Sequence, residues 1–487
     1  MEGKMKKALV LLLIASVLFS ASCGETADPD AVDTPETMTD AEETTAEPEI
    51  MPDLPDADYG GAEFTMCMRI SDGYALDFDV KELTGDTIDD AVFNRNSKVA
   101  EQFNIKFVFV RDNDNFGLDS ARKSVFAGDS TYDVLIPHAR FVFPYALEGM
   151  LYDWNEDLPY IDLEKPWWNA DARAAFSLSG CLFAMVGDIS YLNLGATKSM
   201  IFNKPIMEKL GFETPYATVN DGKWTLDRLE EYVKAASSDL DGDGEIKITD
   251  DQYGYITTHW SGPIQALYSA NQRIARKDEN DLLYITLNTE TAVNVYEKYF
   301  RIVDNEGGYI NLQDDASDML ACFRNGRALF YDPNINAIKD LRDMDDDFGI
   351  IPWPKYDESI DAYYSNVDAG CNLFIVPVTC SDAERASVIL EACAYEGWKS
   401  VLPIYYDVVL TTKFTRDQDS EKMIDIIRAG RVFDIGYYFY NNSNDLNSFG
   451  WYLAHDKSHS FASIYAKYEP VVQKQYDEVN TAFIALE

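Results

Sequence analysis

GDTIDDAVFNRNSKVAEQFNIKFVFV, residues 85–110, decides the fold class. Thr87-Ile-Asp-Asp90 is a capping-box-like start, and Ile88, Val92, Val99 and Phe103 follow on roughly one helical face. Ile105–Val110 then reads as a strand. Working outward, Glu63–Met68 reads as a strand before this unit and Tyr132–Pro137 as a short buried strand after it. Ser199–Phe202 is a further strand, followed by a helix from Pro205 that stops before Gly211. Thr225 caps a helix with Leu226, Leu229, Val233 and Ala236 on one side, and Thr289 starts another that runs to about Val303. Ala328–Tyr331, Gly349–Pro352 and Leu373–Pro377 read as strands, Asn334–Leu341 as a short helix, and Ser381 as the cap of a helix to about Glu396. Such alternation predicts an α/β fold. No internal repeat stands at a fixed period.

The chain has 487 residues, which gives room for roughly two or three domains. It carries 41 basic and 84 acidic residues, a net charge of −43. That balance argues against nucleic-acid binding, because a phosphate partner needs a basic face. It also argues against a polybasic membrane-surface protein. Cys67, Cys181, Cys322, Cys371, Cys380 and Cys393 form no CxxC pair, so the body is not a disulfide scaffold. Most of them read as small core hydrophobes, with room for at most one bridge.

Residues 1–22 read as a signal peptide. Lys4, Lys6 and Lys7 precede an apolar run, Ala8–Phe19, that is too short to span a bilayer as a mature helix. Ser20-Ala21-Ser22-Cys23 looks like a bacterial lipobox, with Ser20 where Leu is usual. That resemblance implies lipidation of Cys23; a plain secretory cleavage nearby is the alternative. Residues 24–58 hold Asp, Glu, Thr, Ala and Pro and no Lys or Arg, so 23–58 reads as a disordered, lipid-anchored acidic tether. Folding is expected to start near Tyr59.

Several stretches together resemble the extracellular solute-binding proteins of bacterial ABC importers, in particular the sugar-binding family that includes maltose-binding protein. They are 85–92 leading into 94–99 and 103–105, Tyr132-Asp-Val134, Leu151-Tyr-Asp-Trp154, Phe202-Asn-Lys204 with Leu210-Gly211, Phe323-Arg-Asn-Gly-Arg-Ala328, and Gly349-Ile-Ile-Pro352. No single motif is specific; their order behind a lipobox and tether carries the resemblance. It implies a two-lobed, type II periplasmic-binding-protein-like α/β fold with three interlobe crossings. By position these fall near Asp188–Ala196, Arg327–Tyr331 and Val376–Thr379, with 59–190 plus 327–376 as lobe one and 191–326 plus 377–487 as lobe two. It further implies a ligand cleft between the lobes, ABC permease subunits as partners, no catalysis, and an extracellular, membrane-anchored monomer.

A sugar site needs aromatic platforms and polar side chains that take hydroxyls. Trp154, Trp167, Trp168, Trp224, Trp260, Trp353, Trp398 and Trp451 supply candidates, most of which read equally well as core packing. His138 and Arg140 follow a strand, where ligands bind in open α/β sheets, although an ordinary surface loop fits them as well. Asp188, Tyr191 and Thr197 lie at the first expected crossing. Trp260 is the leading platform. Tyr331, Asp332 and Asn334 precede a short helix whose free N–H groups suit a polar ligand, and Asp332 also reads as a simple cap. Tyr405, with Tyr406, falls between helices of the second lobe.

Asp239-Leu-Asp241-Gly-Asp243-Gly244-Glu245-Ile246 and then Asp250 fit a Ca²⁺ loop, with carboxylates at positions 1, 3, 5 and 12 and Gly at 6. Alternate residues of a tight loop bring several hard oxygens to one point. Position 12 is Asp rather than the bidentate Glu of sensor EF-hands, so the loop looks more like those of dockerins. Structural Ca²⁺, with Glu245 giving its backbone carbonyl, is one reading; a solvated acidic turn is the other. His455 and His459 stand four residues apart without an apparent third ligand. HExxH, GxSxG and the P-loop pattern are absent. The competing functions are a surface-anchored glycan-degrading enzyme, for which no carboxylate pair stands out, and a glycan-binding adhesin.

Overall fold

The computed structural model describes residues 49–70, 77–112, 116–313, 315–411, 418–439 and 446–486. The signal peptide, Cys23 and most of the acidic tether lie outside the described residues. Order begins earlier than Tyr59: Leu54 and Ala57 pack against the core, and Asp58 accepts a hydrogen bond from Asn104 Nδ2 at 2.7 Å. Met51–Glu487 form one compact unit.

The strand–helix–strand unit forms as its pattern dictates. β1 (Ala62–Arg69) leads through α1 (Thr87–Phe103) to β2 (Ile105–Asp112). Asp86 rather than Thr87 caps α1, its Oδ1 accepting from Ile88 N at 2.9 Å and Asp89 N at 3.2 Å. β2 and β3 (Val134–Ile136) flank β1 in parallel, with Phe64 opposite Phe107 and Met66 opposite Val134. Segment 374–377 extends this sheet through antiparallel bridges of Ile375 to Leu135, Phe374 to Met185 and Pro377 to Leu151. This is the first body.

The second body is built on a five-stranded sheet. β4 (Met200–Asn203), β5 (Tyr253–Thr258), β8 (Gly308–Asn311), β9 (Ala328–Tyr331) and β10 (Phe348–Ile351) lie in the order β10-β4-β9-β5-β8. β5, β8 and β9 are parallel, and β4 runs antiparallel to β9 and β10. α2 (Leu226–Ala236), α3 (Gly262–Ser269) and α4 (Glu290–Val303) buttress it, and a hairpin of β6 (Ala275–Lys277) and β7 (Leu283–Ile285) follows α3.

Strand pairing corrects the expected lobe boundaries. β9 and β10 fall inside 327–376, yet they pair with β4, so they belong to the second body. Ile201 is the reason: it sits between Tyr331 and Ile350 in the middle of the sheet. Residues 377–396 stay with the first body. There α5 (Ala383–Glu396) packs on α1, and Glu391 accepts the indole N–H of Trp167 at 2.9 Å and of Trp168 at 2.7 Å. The chain passes from the first sheet to the second between Gly187, which pairs with Trp168, and Met200, which opens β4. The second crossing is not at 327–331 but between β10 and Phe374, through β11 (Ser365–Asn366). The third is not at 376–379 but in α6 (Leu402–Thr411), which touches both α1 and the 3-10 turn Ile335–Leu341. α7 (Gln418–Ala429) then packs on β10, β12 (Arg431–Val432) pairs with β11, and α8 (Ile435–Tyr438) leads on towards the C-terminal α9 (Phe461–Ile484). All six described cysteines are buried and unbridged.

Candidate ligand cleft

Parallel strands aim their carboxyl ends, and the loops that follow, at one edge of a sheet. In the first body β3 delivers His138 and Arg140. His138 caps the turn Ala139–Phe141 through Nδ1, which accepts from Arg140 N at 3.4 Å. Its ring lies edge-on to Phe116 and Phe141. Burial, then Arg69 and Arg140, push its pKa well below the ordinary value, so the imidazole is neutral. The Arg140 guanidinium lies 4.9 Å over the Tyr437 ring.

In the second body β5 delivers Trp260, which is half-buried and edge-on to His259. His259 also meets Trp451, which is 38% exposed and whose ring stacks on His455 at 3.9 Å. β9 delivers Tyr331, packed inward against Phe323, then Asp332 and Asn334. Asp332 Oδ2 accepts from Tyr255 and Thr257 at 3.0 Å each and from Trp353 Nε1 at 3.3 Å. Its Oδ1 and the Asn334 Oδ1 are buried with no partner among the described residues. Trp154, Trp167, Trp168, Trp224 and Trp353 are core residues.

The crossings join these two edges. Buried Asp77 ties them together: its Oδ2 accepts from Ser190 Oγ and from Asn372 Nδ2, while Arg69 bonds Asn372 Oδ1 at 2.7 Å. Arg95 reaches the carbonyls of Asp77 and Ile189. Burial raises the Asp77 carboxyl to about 6. Asp188 also rises to about 6 through burial, opposed by Arg431 and Arg428. Thr197 is fully buried, donates to Asn193 O at 3.4 Å and pairs with Val367, which makes it part of the hinge backbone.

Tyr191 and Tyr405 stack at 4.7 Å and 24° and line a cavity of about 570 Å³. The first body contributes Asp86 and Asp89 at the start of α1; the second contributes Arg324, Asn336 and Lys339. The Tyr405 hydroxyl is buried with no partner among the described residues. Of the ten expected ligand residues, only Tyr191 and Tyr405 line this cavity. The others stand at strand ends or within the crossings. Asp86 and Asp89 were read only as part of a helix start, and Asn336 only as part of a short helix, not as site residues.

The acidic loop divides. Asp239, Asp241 and Asp243 bring carboxylate oxygens within 4.8 Å of one another. Asp239 also accepts from Gly242 N and Gly244 N, as a tight loop requires. The Glu245 carboxylate pairs instead with Lys247 at 3.0 Å, and Asp250 accepts from Thr249. Helical spacing does not hold His455 and His459 together. The helix ends at His455, and His459, at φ +46°, turns to Asp304 at 3.1 Å and stacks on Phe300.

Solved structures share the fold. A cyclo/maltodextrin-binding protein complexed with maltotetraose is 14% identical, with a TM-score of 0.55 over 85% of this chain and 97% of that one. M. tuberculosis UspC is 13% identical, with a TM-score of 0.54 over 86% and 100%. The maltose/maltodextrin-binding domain MalE from Bdellovibrio bacteriovorus, bound to maltotriose, is 14% identical, with a TM-score of 0.51 over 87% and 99%. The architecture is therefore the two-lobed periplasmic-binding-protein-like α/β fold. Among curated proteins none matches. The family model for bacterial extracellular solute-binding proteins matches residues 97–396, most of the folded chain. The chain belongs to that family, one of binding proteins rather than enzymes.

Proposed function

We propose that this chain is the solute-capturing component of an ABC importer and that its ligand is a sugar or oligosaccharide. The observation that carries this reading is the cavity of about 570 Å³ lined from both bodies and faced by the Tyr191–Tyr405 stack. Sugar rings offer flat C–H faces and a rim of hydroxyls. Tyrosine rings suit the faces, and Asp86, Asp89 and Asn336 suit the hydroxyls. Malto-oligosaccharide-binding proteins of the same fold support the ligand class. A ligand touching both bodies stabilises the closed arrangement by its differential affinity for it. A membrane permease then receives the solute. Lipid on Cys23 holds the monomer at the outer face, with the acidic tether as spacer. Structural Ca²⁺ on Asp239, Asp241 and Asp243, completed by Asp250 and the Glu245 carbonyl, belongs to the same proposal.

Thermal-shift titration with maltotriose, cellotriose, raffinose, peptides and polyamines tests the ligand class. A sugar should raise the melting temperature with dose, and Tyr191→Ala should abolish the shift. Stabilisation by peptides or polyamines alone, or turnover of a labelled glycan, would overturn the reading.

A further inference from the structure

The cavity faced by Tyr191 and Tyr405 has walls of unlike charge. Among the described residues, the first body lines it with Asp86 and Asp89 and with no cation, whereas the second brings Arg324, Lys339 and Arg342. Two elements set these three cations side by side. The helix Ser317–Arg324 ends on Arg324, and the 3-10 turn Ile335–Leu341 carries Lys339 and runs into Arg342. Arg324 Nη2 donates to Asp340 O, and Arg342 Nε donates to Lys339 O at 3.0 Å, so both guanidiniums grip the end of the same turn. Each spends one nitrogen on a backbone carbonyl. Among the described residues none of the three forms an ion pair, in a chain that holds 84 acidic residues.

The carboxylates of the cavity are placed differently. Asp86 is occupied as the cap of α1. Asp89 accepts from the Thr84 hydroxyl at 3.4 Å and lies in the first turn of α1, where a helix favours negative charge. Burial, then Asp86, push the Asp89 carboxyl up, and Lys339 opposes them from the other wall without closing to an ion pair. Asp340 and Asp343 also line the cavity, from the second body. Residues three apart share one side of a 3-10 turn, so Lys339 goes with Arg342 and Asp340 goes with Asp343. A neutral sugar leaves the three positive charges without a counter-ion. A sugar bearing a carboxylate fits the two walls in one orientation. Guanidinium forks and an ammonium take the carboxylate, and the hydroxyls donate to Asp86 and Asp89, which repel the ligand the other way round.

We propose that the ligand is an acidic oligosaccharide of the hexuronate class, its carboxylate bound by Arg324, Lys339 and Arg342 and its ring hydroxyls turned to Asp86 and Asp89. This rests on the sugar reading above and narrows it. Because the two sets of side chains stand on different bodies, a ligand held in this orientation touches both and favours closure.

Isothermal titration tests it, with trisaccharides of galacturonate, mannuronate and glucuronate, each beside its methyl ester. The ester keeps the ring and its hydroxyls and removes the charge. At least one acid should bind wild type about 10- to 100-fold tighter than its ester. Lys339 is exposed and makes no hydrogen bond through its ammonium among the described residues, so its variants should melt like wild type. Lys339→Gln should shrink the preference for the acid, and Lys339→Glu should abolish it, both with the affinity for the ester unchanged. Arg342→Gln should shrink it in the same way. Binding of neutral sugars with no acid preferred over its ester would overturn the inference and leave the sugar reading intact. So would a preference that survives both Lys339→Glu and Arg342→Gln, since the carboxylate would then be held elsewhere. Failure of wild type to bind any sugar, neutral or acidic, would sink the sugar reading and this inference with it.

Discussion

Tyr405 reaches its place because residue 195 has no side chain. A Cβ on Gly195 would lie 2.7 Å from the Tyr405 hydroxyl and 3.2 Å from Asn336 Cβ. Gly195→Ala should therefore cost about 1–3 kcal/mol, read as a lower denaturant midpoint, and should weaken ligand binding. Tyr405→Phe should do something different. It removes a buried hydroxyl that has no partner among the described residues, so the free protein should melt at the same temperature or higher. Sugar affinity should nevertheless fall by about tenfold if that hydroxyl meets the ligand. Asp332 gives a pH prediction. Burial raises its carboxyl to about 6 from 3.8, against Lys198 and the donors from Thr257, Tyr255 and Trp353. The folded state thus holds this proton more tightly than the unfolded state. Its contribution to stability is full below about pH 4 and is lost as pH rises through about 6. Asp332→Asn should flatten the fall in stability across that window, measured by urea unfolding at stepped pH. At this scale the sequence was only partly legible. Tyr191 and Tyr405 could be picked out as aromatics near expected crossings. Arg324, Asn336 and Lys339 could not, because they join Asp86 and Asp89 only across the cavity, which no local pattern announces.

Elements were more readable than residues. Thr225 and Thr289 cap α2 and α4, accepting from Arg228 N at 3.4 Å and Ala292 N at 3.0 Å. Asp382 rather than Ser381 caps α5, a one-residue displacement like that at α1, because an aspartate reaches the same free N–H groups from the neighbouring position. Leu373–Pro377 reads as a strand but pairs through single bridges on either side, since it enters the first sheet from the second crossing. The acidic loop also has a definite geometry at this scale. Asp251, fully buried, accepts from Leu240 N and Lys247 N at 2.8 Å each and closes the loop from behind. Lys247 pairs with Asp243 at 2.5 Å and backbone N–H groups bond all three carboxylates, so a bound cation would have to displace that ammonium. Calcium should raise the melting temperature, EDTA should lower it, and Asp241→Ala should remove both responses. A melting curve that ignores chelator would leave the loop as a solvated turn.

At the scale of the molecule, alternating strands and helices announced two α/β bodies but could not say which strand joins which. The partition depends on Ile201 lying between Tyr331 and Ile350, contacts made across about 130–150 residues. The three crossings were placed by position along the chain rather than by pairing. The later two were misplaced because β9 looks from its sequence like any short buried strand. The C-terminal α9 shows the same dependence on distant partners. Asn480 bonds Leu283 N at 2.9 Å and Leu283 O at 3.0 Å in the hairpin that follows α3. One turn later Phe483, 2% exposed, meets Phe183 edge-on at 5.6 Å, next to the segment of Met185 in the first sheet. A single helical turn therefore straps both bodies together. Phe483→Ala should cost about 3–5 kcal/mol if that strap is fully packed. It should also widen the ligand-free molecule in small-angle scattering, because one of the contacts opposing the hinge is gone. An unchanged radius of gyration with an unchanged denaturant midpoint would show that α9 rests on the second body alone. A lower midpoint without widening would assign Phe483 to core packing rather than to holding the bodies closed.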